Sequence, residues 1–130
     1  MTEQDPLLIR LDAIRADLVA QGRRVQTLVD RAFDAVFTAD VALAEQVIAS
    51  DDDVDDVDVQ IERASVSLLQ DSTEHTAALT ERQLRSVLTI VKVNNELERI
   101  ADAGVSIAQR ADDVHRASTP LPETLRVMCN

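Results

Sequence analysis

The chain has 130 residues, 45% apolar but only 2% aromatic, with 24 acidic against 13 basic side chains and a formal net charge of −11. That field repels polyanions, which argues against nucleic acid and an anionic membrane surface as partners and favours cations and basic proteins. Two Gly, three Pro and no Trp or Tyr point to a single domain of long helices around an aliphatic core, an all-α fold.

The N-terminal stretch MTEQDPLLIRLDAIR carries acidic residues and lacks the basic start and apolar block of a secretory signal. The first predicted helix covers 6–37. Leu11, Ile14, Leu18, Val25, Leu28, Ala32 and Val36 recur at the helical period, Pro6 suits a first turn and Asp5 its cap. Gly22 falls inside it, where it costs about 1 kcal/mol relative to Ala, and is expected to mark close approach of a neighbouring helix. The pattern breaks at Thr38-Ala39-Asp40, with Thr38 or Asp40 as the next N-cap. A second helix covers 41–71 and a polar connection begins at Asp71. A third covers 80–114, opened by a capping box of Thr80 and Gln83. Residues 117–122 (ASTPLP) read as a stop. Thus 1–116 is expected as one domain, and 117–130 as a linker with the start of a further helix bearing Leu121, Leu125 and Met128. The lone Cys129 has no internal disulfide partner, which indicates a cytoplasmic setting. No apolar run approaches the ~20 residues that span a bilayer. The short connections fold the chain back on itself, so an antiparallel, up-down-up three-helix bundle is expected rather than an intermolecular coiled coil.

Two polar interruptions carry the functional content. On the third helix Glu98 lies within about 20° of Val87, Val91 and Val105, with Asn94 and Asp102 about 40° to either side. On the second, Asp55 lies within about 40° of Val41, Ala44, Ile48, Val59 and Val66, and Asp51, Asp58 and Glu62 share that arc. In an antiparallel hairpin both clusters reach the same level. Like charges so placed repel, and burial aggravates the conflict; a bound cation relieves it. With no Cys or His nearby, oxygen donors favour magnesium, manganese or oxidised iron, with calcium also possible. The alternative is a plain solvated acidic face along Asp51-Asp52-Asp53, Asp55, Asp56 and Asp58. A carboxylate-bridged di-metal oxidase would require Glu-x-x-His pairs, and the only histidines, His75 and His115, lie in a connection and beyond the cluster. No nucleophile triad or phosphate loop is present, so no enzyme is expected. A helical oligomerisation module without a ligand is the remaining alternative.

Glu98-Arg99-Ile100-Ala101-Asp102, preceded by Asn94-Asn95-Glu96-Leu97, resembles the signature of the PhoU family, in which a leucine precedes Glu-Arg-Ile-Gly-Asp. Gln83-Leu84-Arg85 is similar to that family's Asp-Leu-Arg, and Val47-Ile48-Ala49-Ser50-Asp51 to its Val-Ile-x-x-Asp. The resemblance covers about residues 7 to 112. It implies a metal site of Asp51, Asp55, Glu98 and Asp102, matching the family's acidic-x-x-x-Asp motif. It also implies a cytoplasmic negative regulator linking the ATP-binding subunit of a phosphate ABC transporter to a sensor histidine kinase. Departures are Ala101 for glycine, Gln83 for aspartate, and a longer connection at 72–79 without the usual proline. Family members usually hold two repeats and this chain matches one, so a homodimer is expected to replace the second.

Overall fold

The computed structural model describes residues 5–74 and 79–117. Three long helices, α1 (Pro6–Phe37), α2 (Val41–Glu74) and α3 (Glu81–Ala108), pack in a bundle, followed by a short α4 (Ala111–Ala117). The local chemistry of the helix ends is as the sequence suggests. The Asp5 carboxylate accepts from the Leu7 amide at 3.0 Å, with Pro6 in the first turn. Thr80 and Gln83 form a reciprocal capping box. At the α1–α2 turn the two candidate caps divide the work. Asp40 Oδ1 accepts from the Leu43 amide at 3.0 Å and opens α2, whereas the Thr38 hydroxyl donates back to the Asp34 carbonyl at 2.6 Å and closes α1. Between them Ala39 takes φ 53°, the left-handed region that glycine fills more readily.

Three expectations are corrected. α2 runs on through Asp71, Ser72 and Thr73 to Glu74. The Ser72 and Thr73 hydroxyls bond to the carbonyls of Leu69 and Gln70, so these polar residues are absorbed into the helix. The Arg10 guanidinium, paired with Asp71 and bonded to Ser67, ties this end of α2 to α1. The third helix is not continuous to 114. The chain bends at Gln109–Arg110, where the Arg110 amide reaches the Ile107 carbonyl at 3.0 Å in a tightened turn. Ala108 and Ala111, both buried, flank the bend, and their small side chains let α4 close against α1 and α2. Gly22 is not a close-approach point, since a Cβ there would meet nothing within 4 Å. That role belongs to Gly104, where a Cβ would lie 2.5 Å from Leu28 Cδ2 and 3.3 Å from Val29 Cγ2. The remainder of the 71–79 connection at 75–78 and the stub at 118–130 lie outside the described residues.

The core is aliphatic and falls into two clusters. One, at the α1–α2 turn, gathers Val25, Leu28, Ala32, Val47, Val54, Ala101 and Ala108. The other, at the far end, gathers Leu7, Leu11, Ile14, Ile61, Leu68, Val87 and Ile90. Between them the interior turns polar. Gln21 and Asn94 are buried at this waist, and the candidate site is built around it.

Candidate metal centre

Two polar side chains set the waist. Gln21 occupies a core position in the row Leu18, Gln21, Val25, Leu28, and its Nε2 donates to the Val54 carbonyl at 2.7 Å, clamping α2 to α1. Asn94 donates through Nδ2 to both the Asp58 carboxylate at 2.6 Å and the Asp58 carbonyl at 3.1 Å, clamping α3 to α2. Both are essentially inaccessible, and a buried amide is tolerated only when bonded. With α1, α2 and α3 locked at this level, Asp51, Asp55 and Asp102 bring carboxylate oxygens within 4.8 Å of one another. Glu98 lies beside them, close enough to Asp55 for the two carboxyls to act on one another. Of the four residues singled out, Asp51, Asp55 and Asp102 form the tight group, and Glu98 lies next to it on α3 without belonging to it.

The electrostatics are unfavourable as they stand. Burial, the Asp55 contact and the charges of Asp55, Asp58 and Asp102 push Glu98 up from 4.5 to about 8. Burial, then the neighbouring Asp55, Asp102 and Asp52, raises Asp51. Asp58 is also raised, by burial and by Glu62, Asp55 and Asp102, against the opposing hydrogen bond from Asn94. Asp51 Oδ1, Asp55 Oδ1, Glu98 Oε2 and Asn94 Oδ1 are all shielded from solvent with no hydrogen-bond donor. No arginine or lysine forms an ion pair with these acids among the described residues. Each such oxygen carries a desolvation cost that a cation would offset.

The position of the cluster differs from the helical-wheel expectation. The helical wheel centres the acids on the apolar arc, yet Ile48, Val59 and Val66 beside them on α2 are 37%, 40% and 56% exposed, and Leu84 on α3 is 42% exposed. The true core line of α2 is Val47, Val54, Ile61 and Leu68. The acids stand at the rim of the α2–α3 groove, half-buried except for exposed Asp102, where an ion can still enter from solvent. Glu62 is exposed and contributes only its charge, to Asp58. The roles of Gln21 and Asn94 as clamps were not read from the sequence. For Gln21 the available signal was an amide in an otherwise apolar row.

A family model described as "PhoU domain" matches residues 18–111. The chain belongs to the PhoU family. It is 32% identical over 108 residues to the "Phosphate-specific transport system accessory protein PhoU homolog" of Aquifex aeolicus, covering 81% of this chain and 45% of that protein. It is 34% identical over 101 residues to the Pseudomonas aeruginosa homolog and 33% identical over 101 residues to Escherichia coli PhoU; each match covers 78% of this chain and 40% of the relative. The chain thus spans less than half the length of these curated relatives, consistent with one repeat. No solved structure matches it significantly. These relatives are named as accessory proteins of the phosphate-specific transport system, and no helix among the described residues of this chain is long and apolar enough to cross a membrane.

Proposed function

We propose that this PhoU-family chain is a non-enzymatic, metal-binding regulator of phosphate uptake and phosphate-starvation signalling in the cytoplasm. Asp51, Asp55, Glu98 and Asp102 are the ligands in this reading. The observation that carries it is the convergence of Asp51, Asp55 and Asp102 beside Glu98, with solvent-shielded, donor-free oxygens on Asp51, Asp55 and Glu98 and no base paired with any of them among the described residues. An all-oxygen donor set suits manganese, iron or magnesium. The ion supplies charge neutralisation that pins α2 to α3 at the waist and fixes the shape of their outer face. The chain's own residues do the rest. Gln21 and Asn94 hold the three helices at one level, and the rim position leaves the site open to solvent.

The names of the relatives support a role with the phosphate-specific transport system. The finer reading is contact with a transporter's ATP-binding subunit and a sensor histidine kinase. We assign partner contacts to exposed apolar residues of α2 and α3, among them Val59, Val66, Leu84 and Leu88. A second copy of the chain is a further partner proposed for those residues.

The test is a thermal melt with manganese or ferrous iron. A ligand at about 100 times its Kd adds roughly 2.7 kcal/mol when it binds only the folded state. Glu98→Ala with Asp102→Ala should abolish that increment. An undiminished increment in the double variant would place the cation elsewhere and remove the reading.

A further inference from the structure

In a chain with 24 acids, an arginine ordinarily finds a carboxylate. Arg10, Arg15, Arg85, Arg99, Arg110 and Arg116 do so. Among the described residues Arg23, Arg24, Arg31, Arg63 and Arg82 do not, and the first three stand together. All three line one groove of about 320 Å³ between α1 and α2, floored by the buried Leu28 and Val54. Positions 23, 24, 27 and 31 fall within about 100° of arc on α1, so the three guanidinium arms and the Thr27 hydroxyl share one wall. Two of the arms are steadied by neutral amides: Arg24 donates to Gln21 Oε1 at 3.3 Å and Arg31 to Gln46 Oε1 at 2.7 Å. Their positions are set while their charges remain uncompensated. The opposite wall offers Ser50, whose hydroxyl is spent on the Val47 carbonyl at 2.7 Å, and Asp53, which forms no ion pair with any of the three.

Three guanidinium forks and a hydroxyl present more donors than one carboxylate can accept. A tetrahedral dianion accepts from two forks at once and retains oxygens for a third group. We propose that this groove binds a phosphate group, free or carried as a phosphate ester. The groove is roomier than a bare phosphate needs, and its apolar floor gives an attached organic group somewhere to lie. The site lies around α2 from the acidic centre, on Ser50, Asp53 and Val54 rather than Asp51 and Asp55. It therefore stands independently of the metal reading.

The experiment is a nitrogen-15 NMR titration of the full chain, freed of metal on a chelating resin. The probes are inorganic phosphate, adenosine monophosphate, and sodium chloride at matched ionic strength. Saturable shifts at 23–31 and 50–54 with phosphate or the monophosphate, and none with chloride, are expected; the tighter of the two identifies the source. Arg24→Ala with Arg31→Ala should weaken binding about tenfold or more. Arg82→Ala, in the separate α1–α3 groove, should leave it unchanged. Arg24→Gln with Arg31→Gln serves if the alanine variant loses helical signal. Non-saturable shifts equal to those of chloride, affinity unchanged in the folded variant, or tighter binding of a poly-glutamate peptide than of either phosphate would each overturn the proposal.

Discussion

Glu98→Gln removes one carboxylate from the waist while keeping its shape. In the folded chain Glu98 holds its proton up to about 8, against 4.5 for an unperturbed glutamate. Between those values the folded state binds more protons than the unfolded state, so stability falls as pH rises through that window. Asp51 and Asp58, both raised, act in the same direction. The full shift would correspond to about 5 kcal/mol. Solvent at the groove rim screens it, which leaves about 1–2 kcal/mol to be measured. Metal-free wild type should lose that amount between pH 5 and pH 8. Glu98→Gln should fall less steeply, equal to wild type at pH 5 and about 1–2 kcal/mol more stable at pH 8, its remaining slope coming from Asp51 and Asp58. The chain has no Trp or Tyr, so the assay is urea unfolding followed by far-ultraviolet circular dichroism. The midpoint should move by about 1 M at constant slope. A wild type whose stability is flat or rises over this window would refute the reasoning. So would a variant that is destabilised equally at both pH values.

The two glycines should respond with opposite sign to alanine. Gly22→Ala, with open space around its Cβ, should gain up to about 1 kcal/mol from helix propensity. Gly104→Ala, driven against the buried Leu28, should lose about 1–2 kcal/mol net, read as melting temperatures of the two variants. Ala39→Gly should relieve the left-handed backbone at the α1–α2 turn and raise stability by about 0.5–1 kcal/mol; a lower urea midpoint would contradict the strain reading. Light scattering at micromolar concentration under reducing conditions should give a dimer, and Val66→Glu with Leu88→Glu, at exposed apolar positions of α2 and α3, should return it to monomer. A wild-type monomer would remove the proposed self-association.

Much of this protein is legible along the chain because helices are local objects. The 3.6-residue period, the Asp5 and Thr80 caps, and the break at Thr38-Ala39-Asp40 depend only on neighbours in sequence, and they place the ends of α1 and the starts of α2 and α3. The pairing of Asp51 and Asp55 with Asp102 was also legible, since a short connection forces α2 and α3 antiparallel and the acids lie similar numbers of residues before and after it. Local signals misled where polar residues were read as breaks. Ser72 and Thr73 have helical partners in their own preceding turn, so α2 continues through them.

What the sequence by itself determined is the all-helical class, the helix starts and the level at which the acids meet. Only the tertiary structure decided how deep those acids lie. An apolar arc on a helical wheel is wider than the strip a neighbouring helix covers, and nothing local says which part of the arc is covered. Packing chose the Val47–Val54–Ile61–Leu68 line of α2 as core and left Ile48, Val59 and Val66 in solvent, so the acids fall at a rim. Packing likewise chose Gly104 over Gly22 as the point of close contact, and gave Gln21 and Asn94 their partners more than 30 residues away. Those are contacts between chain-distant atoms, which only the packing of three helices against one another can specify.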